Sequence, residues 1–347
     1  MEISPRKSLK MVSCPNCKAK QFISGDLAPL EQVACTKCGH QILMPMILRQ
    51  YEIRSEIASG GMGTVYRAWD TALQREVAVK LMKREFAEDS SAVTSFAVEA
   101  RACAQVNHTN IIHIYSFDYH DGLRYLAMEL ADNGTLDSRI EKSGTIPELD
   151  VLDTGIKVAS ALQAALKRGL LHLDIKPGNI LFSSDGEPKV VDFGLAKKTD
   201  AETDNYAPIF GTPYYIAPER VRQEGDTFLC DIYSLAGTLH HALTGRVPFE
   251  APSVEDVVAA HLTIPLKAAS EVNPKVTQAT SEALARAMAK NPKARWAGYD
   301  EFIMALTAAR SQLLIRQLTG HTSDLVAPAP NEAPLETGGA PRSWWRR

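Results

Sequence analysis

The run Glu76-Val77-Ala78-Val79-Lys80-Leu81 constrains this chain most, because it reads as a buried strand that carries a lysine. An ammonium taken out of water without a counter-charge is very costly, so the strand needs a carboxylate brought to it from elsewhere. Glu99, in the helical stretch Ser95-Phe96-Ala97-Val98-Glu99, is the obvious source. The plainer alternative is an ordinary surface ion pair. Short β-branched runs come first and longer helical patterns later, which fits an α+β domain with two unequal lobes.

The rest of the middle segment fills in that outline. Leu152, Ile156, Ala159, Leu162 and Leu166 recur at helical spacing and mark one apolar face between about Glu148 and Arg168. A second helix is expected from Ser281 to Lys290, ending where Asn291-Pro292 cannot continue it. Ile180-Leu181-Phe182 and Lys189-Val190-Val191 flank Ser184-Asp185-Gly186-Glu187, a hairpin signal. Upstream, Ile57-Ala58-Ser59-Gly60-Gly61-Met62-Gly63-Thr64-Val65-Tyr66 is a strand-turn-strand whose glycines let the backbone approach phosphates closely; glycine-rich turns are common, so alone it says little.

Three further segments follow in order: Leu171-His172-Leu173-Asp174-Ile175-Lys176-Pro177-Gly178-Asn179-Ile180, then Asp192-Phe193-Gly194, then Ala217-Pro218-Glu219. Together with the glycine loop and Val77-Ala78-Val79-Lys80, they resemble the eukaryotic-type (Hanks-type) serine/threonine protein kinase family, over residues 51–310. By analogy with soluble kinases that carry an appended metal module, a bacterial member is expected. The resemblance implies a bilobal protein kinase fold, with a small β-rich lobe and a large helical lobe. It also implies transfer of the γ-phosphate of Mg·ATP to protein serine and threonine hydroxyls, in signalling and with capacity for autophosphorylation.

On that resemblance Lys80 would hold the α/β-phosphates and Glu99 would orient it. Asp174 would take or align the substrate hydroxyl proton, Lys176 would stabilise the transferring phosphoryl, and Asn179 and Asp192 would ligate Mg²⁺ through oxygen. Ile57, Gly60, Gly63, Val65 and Ala78 would enclose the nucleotide, Met128 would guard the back of its pocket, and Glu129, Leu130 and Ala131 would form the adenine-contacting hinge. His172 would brace the loop near Asp192, Glu219 would pair with Arg295, and Asp231 would anchor the catalytic loop. Gly211-Thr212-Pro213-Tyr214-Tyr215 resembles the segment that docks serine/threonine substrates, with Thr212 reaching Asp174 and Lys176.

Two residues depart from the pattern. Ala58 stands for the first loop glycine, so reduced nucleotide affinity is expected. Leu173 replaces the arginine that usually precedes the catalytic aspartate and pairs with a phosphorylated activation loop, a pairing leucine cannot make. Activation is therefore expected not to need phosphate on Thr199, Thr203 or Tyr206. A pseudokinase scaffold is the competing reading; it would predict loss of Lys80, Asp174, Asn179 or Asp192, and all four are present.

Residues 11–45 carry Cys14-Pro15-Asn16-Cys17 and Cys35-Thr36-Lys37-Cys38, two Cys-x₂-Cys pairs. Four thiolates from two tight turns suit tetrahedral Zn²⁺, and the segment resembles a zinc ribbon; a redox dithiol pair or free thiols are the alternatives. So small a segment has little core, and the metal would supply most of its folding free energy. Lys18, Lys20 and Lys37 lie nearby, but Phe22 is the one aromatic group for stacking, so protein docking or regulation of the kinase is favoured over nucleic acid. A third reading makes this ribbon the functional centre and the kinase fold its accessory. Cys103 and Cys230 read as buried apolar residues.

The chain has 347 residues and a formal net charge of -3, which gives no reason to expect binding to polyanions. Arg6, Lys7 and Lys10 add to a basic start that reads as a solvated face. No window is apolar enough to span a membrane, the short run Ile42 to Leu48 being interrupted by Pro45, and no secretory signal opens the chain, so a cytoplasmic location is expected. Residues 319–347 are rich in proline and glycine and read as disordered, with Trp344-Trp345-Arg346-Arg347 resembling an interfacial anchor.

Overall fold

The structure is a computed structural model and describes residues 9–61, 63–193, 197–198 and 213–322. It opens with two small hairpins, β1 (Leu9–Ser13) with β2 (Lys20–Ser24), and β3 (Gln32–Ala34) with β4 (Gln41–Leu43). Each reverses direction at a cysteine pair in a tight turn between its strands. The Cys14 and Cys35 amides donate to the carbonyls of Ala19 and His40, both at 2.8 Å, and their own carbonyls accept from Lys18 and Gly39. Lys18 and Gly39 occupy the same left-handed position, at φ 60° and 75°; glycine takes it without strain.

Next comes a six-stranded antiparallel sheet in the order β5 (Met46–Leu48), β6 (Tyr51–Ser59), β7 (Gly63–Asp70), β8 (Arg75–Met82), β10 (Leu123–Met128), β9 (Ile114–His120). The apolar run from Ile42 is thus cut by Met44-Pro45 into two strands of different sheets, because proline cannot extend a ladder. Period-two alternation gives the large sheet two distinct faces. Tyr51, Ile53, Tyr66, Val77, Val79, Leu81, Tyr125 and Ala127 form a buried cluster on its back, against which Leu30 and Leu43 of the small hairpin region pack. On the front, Leu126 and Met82 join Ala92, Phe96 and Ala100 of α1 (Ser90–Gln105). Asp89 caps α1 by accepting the amides of Ser91 and Ala92.

The large lobe is helical: α2 (Leu136–Ser143), α3 (Glu148–Leu166), α4 (Pro218–Val221), α5 (Phe228–Thr244), α6 (Val254–Thr263), α7 (Ala269–Val272), α8 (Gln278–Ala287) and α9 (Tyr299–Thr322). Between α3 and α4 lie β11 (Leu170–Leu171), the hairpin of β12 (Ile180–Phe182) with β13 (Pro188–Val190), and β14 (Lys197–Lys198), which pairs with β11. The strand expected at 76–81 is β8, the helix expected from Glu148 is α3, and the expected hairpin is present. The helix expected over 281–290 instead begins at Gln278, where the Thr277 hydroxyl caps the Thr280 amide, and ends at Ala287. The last helix continues past residue 310 to Thr322, into the segment expected to be disordered from 319. Residues 323–347, including Trp344 to Arg347, lie outside the described residues, as do Arg6 and Lys7.

Candidate active site

Sheet register explains how the front of the small lobe becomes a site. Val65 lies opposite Lys80, and Ala78 and Lys80 lie opposite Met128 and Leu126, so all five residues share one face. The turn joining β6 to β7 closes with the Gly60 amide on the Gly63 carbonyl at 2.9 Å. A Cβ on Gly63 would stand 2.7 Å from the Leu81 carbonyl oxygen, so only glycine fits where the loop meets β8. Ala58, in place of the first loop glycine, sits in the ladder opposite Val65, and Ile57 beside it is 44% exposed. Met62 lies outside the described residues.

The lysine on the strand has its carboxylate. Lys80 Nζ donates to Glu99 Oε1 and Oε2 at 2.7 and 2.8 Å. Burial alone would lower the Lys80 pKa; the Glu99 carboxylate, with Asp192 next, outweighs it and holds the ammonium above its ordinary value. Burial pushes the Glu99 carboxyl up, and the bidentate contact with Lys80 opposes that, so we read the pair as ionised.

A second cluster gathers on the loop after β11. Lys176 Nζ donates to Asp174 Oδ2 at 2.8 Å, and the Asn179 amide nitrogen donates to the carbonyl and Oδ2 of Asp174 at 2.8 and 3.0 Å. That orientation leaves the Asn179 side-chain oxygen for a cation. The Val191 amide donates to the Asn179 carbonyl at 3.1 Å, which sets Asp192 beside Asn179. Asp192 has φ 66° and Leu173 φ 65°, conformations unusual for side chains other than glycine, so the loop is held by its surroundings.

Those surroundings are buried and specific. Asp231 on α5 accepts the amides of His172 and Leu173 at 2.9 and 2.7 Å. His172 Nε2 meets the Val191 carbonyl at 3.0 Å, and its ring packs on Phe193. Arg295 donates to both Glu219 oxygens at 2.6 and 2.7 Å with its side chain fully buried. These three contacts match the sequence expectation. Cys103 and Cys230 are both buried, and burial pushes the Cys103 thiol up to about 12, which makes it inert.

Several residues escaped the sequence reading. Arg220, right after Ala217-Pro218-Glu219, donates to the Leu173 carbonyl and pairs with Asp226. At Glu129 the amide donates to the His113 carbonyl at 2.8 Å, and the side chain binds His113 and the buried Lys189. Ala131 is buried beside it. Arg67 reaches from β7 to Asp132 at 2.7 Å, tying the strand after the glycine loop to the segment before α2. Thr199, Thr203, Tyr206, Gly194, Gly211 and Thr212 lie outside the described residues.

The four paired cysteines form one cluster, their sulfurs all within 4.8 Å of one another. Cys14–Cys38 and Cys17–Cys35 are 3.7 and 3.6 Å apart. Four sulfurs about 2.3 Å from a tetrahedral zinc ion would stand about 3.8 Å from each other, so the donor set and its size fit Zn²⁺. The amides of Lys37 and Cys38 draw the Cys35 thiol down to about 6. Against the pull of the Ala19 amide, burial and the neighbouring cysteines push the Cys17 thiol up to about 11, so the crowded sulfurs do not all shed their protons without a cation.

The protein kinase domain model matches residues 51–307. The chain is 33% identical over 267 residues to a probable serine/threonine-protein kinase of Clostridium acetobutylicum, covering 77% of this chain and 41% of that protein. It is 35% identical over 262 residues to the serine/threonine-protein kinase PknH of Mycobacterium tuberculosis, covering 75% and 42%. Over 248 residues it is 34% identical to the serine/threonine-protein kinase PrkC of Bacillus subtilis, covering 71% and 38%. This chain therefore spans about two fifths of the length of these relatives. With a family match over most of its length, on the fold and residue cluster described above, the chain belongs to the protein kinase family.

Proposed function

We propose that this chain is a serine/threonine protein kinase that transfers the γ-phosphate of Mg·ATP to hydroxyls of protein substrates. The observations that carry this reading are the closed Lys80–Glu99 pair and the hydrogen-bonded Asp174–Lys176–Asn179 cluster, with Lys80, Asp174, Asn179 and Asp192 all present. The names of the bacterial relatives support serine/threonine as the acceptor class.

Phosphoryl transfer asks mainly for positioning and charge neutralisation. Lys80, kept ionised by Glu99, would hold the α/β-phosphates against the floor formed by Val65 and Ala78. Bound Mg²⁺ would neutralise charge on the phosphates. The hard oxygens of Asn179 and Asp192 suit that ion and would hold it. The Asp174 carboxylate would align the substrate hydroxyl and take its proton as the bond from γ-phosphorus to the bridging oxygen breaks. Lys176, already on Asp174 Oδ2, would offset the negative charge between them. Incubation with Mg·ATP and a generic protein substrate should give phosphoserine and phosphothreonine by mass spectrometry. Lys80→Ala and Asp174→Asn should each lower turnover by at least about a hundredfold. Full turnover in either variant would overturn the assignment.

We also propose that activation needs no phosphate on the segment after Phe193. Leu173 is buried with an apolar side chain, and its carbonyl is clasped by Arg220, itself committed to Asp226. Position 173 itself therefore offers no guanidinium to a phosphate, and Nε and Nη1 of Arg220 are already engaged. Replacing Thr199 and Thr203 by Ala and Tyr206 by Phe together should leave kcat/KM within about twofold, where dependence on a phosphate would cost far more. A collapse of activity would sink the idea.

For the cysteine cluster we propose one bound Zn²⁺, held by Cys14, Cys17, Cys35 and Cys38 in a structural role. Elemental analysis should find one zinc per chain, lost in Cys14→Ser/Cys35→Ser.

A further inference from the structure

The cysteine module is packed on the catalytic domain by more than its chain connection. Leu30 and Leu43 lie on the back of the small-lobe sheet, opposite the face that carries Lys80. The Leu30 amide donates to the Met44 carbonyl, and the Met44 amide donates to Glu31, which locks this segment to the strand that runs on into β5. β5 is itself a strand of the kinase sheet, with Met46 opposite Ile53 and Leu48 opposite Tyr51.

Past Ile53 the β5 pairing ends, and among the described residues no strand is hydrogen-bonded to the outer edge of β6. That stretch is the first arm of the glycine loop. It is also where the β6–β7 ladder is weakest: its register shifts between Ile53 and Ser55, and again between Glu56 and Ala58. Glu56 stands between the two irregularities. Gln32, on β3 of the cysteine module, donates to Glu56 Oε2 at 2.9 Å. Three residues along the chain from Gln32 is Cys35, and β3 is fixed in place by its pairing with β4 on either side of the Cys35–Cys38 turn and by Gln21 of β2, whose Nε2 donates to the Ala34 carbonyl at 3.2 Å.

We infer that the metal-loaded cysteine module is a positioning element for the glycine loop, setting its height through Gln32 on Glu56 and through Leu30 and Leu43 on the sheet's back face. The inference rests on the kinase reading and assigns to the module regulation of nucleotide affinity at that same site. Without the metal the small hairpins lose their main source of folding free energy, and Gln32 loses its register. The loop arm then keeps its covalent path but not its outer support. The consequence falls on nucleotide binding, since Lys80, Asp174 and Asn179 are anchored elsewhere.

The test measures the dissociation constant for a fluorescent ATP analogue with Mg²⁺ on the full chain in three forms: zinc-loaded, chelated, and zinc-loaded Gln32→Ala. Amide exchange along residues 54–60 is followed in parallel. Loss of one exposed hydrogen bond predicts about threefold weaker binding in Gln32→Ala, with zinc content and the kcat of the saturated enzyme unchanged. Chelation should weaken binding more, speed exchange in 54–60, and add less in the Gln32→Ala background than in the unaltered chain. Nucleotide affinity and exchange unchanged in both the chelated and the Gln32→Ala forms would overturn the inference. Failure of the zinc-loaded, unaltered chain to bind the analogue at all would instead overturn the kinase reading, and the two failures are distinct.

Discussion

The cysteine module and the large lobe stand at opposite ends of how a chain can hold itself together. The module encloses Cys14, Ile23, Cys35, Ile42 and Met44, so two of its five core side chains are themselves candidate metal ligands. The large lobe packs α3 and α8 against α5, with α9 lying on α3 and α8, and on α5 Ile232, Tyr233, Leu235, Ala236, Leu239 and Leu243 are all buried. A segment shorter than about 40 residues rarely buries enough surface to fold alone. The large lobe has apolar area to spare and can bury ionic and titratable groups that cost stability. The module depends on a ligand from outside the chain; the lobe depends on its own internal pairs.

The sharpest way to break this contrast is to remove the metal. Structural zinc in small peptides is worth about 10–16 kcal/mol. Chelation should therefore abolish amide protection over residues 9–44 while exchange in α3, α5 and α9 stays slow. Protection of both hairpins surviving chelation would show that the module has an adequate core after all. In the large lobe, the corresponding lesion is Arg295→Ala. It strands the Glu219 carboxylate, 5% exposed on its side chain, among apolar neighbours and should cost about 3–5 kcal/mol in a denaturant titration. A loss below about 1 kcal/mol would mean the pair is dispensable.

The smallest effect is a pH dependence. His261 is fully buried against Tyr233 and Phe249, and burial lowers its pKa to about 4. Between that value and 6.5 the unfolded chain binds a proton that the native chain refuses, so native stability falls as pH drops through this window. The loss approaches about 3 kcal/mol at the lower end. Burial also lowers His240 and His241, which adds in the same direction. Thermal midpoints from pH 7 to 4 should show the slope, and His261→Asn should flatten it. An unchanged slope in that variant would assign the acid loss to other groups.

What could be read in the sequence divides along a physical line. β8 and α3 were legible because one-sided burial writes its period into consecutive residues. Lys80 with Glu99 was legible because an isolated ammonium on an apolar strand demands a partner, and Glu219 with Arg295 because the family pattern names both. The docking of the cysteine module was not, since Gln32 and Glu56 are ordinary polar residues whose meeting depends on two sheets folding first. Arg220 was missed for a similar reason: its partner is the backbone of Leu173, and a carbonyl leaves no mark in composition. The last turns of α9, which run into the segment read as disordered from 319, left no signal because Ile315 and Leu318 are exposed and no one-sided apolar stripe marks them.

The strand β5 has a practical consequence for anyone cutting this protein into pieces. The family match begins at Tyr51, which invites a catalytic fragment that starts there. Such a fragment would lose Met46 to Leu48 and turn β6 into a bare sheet margin, with the Tyr51 and Ile53 backbone groups open to strands of other molecules. Leu30 and Leu43 would be gone as well, leaving apolar back-face surface to solvent. A catalytic fragment begun at Tyr51 is thus expected to self-associate, and one begun before β1 to remain dispersed.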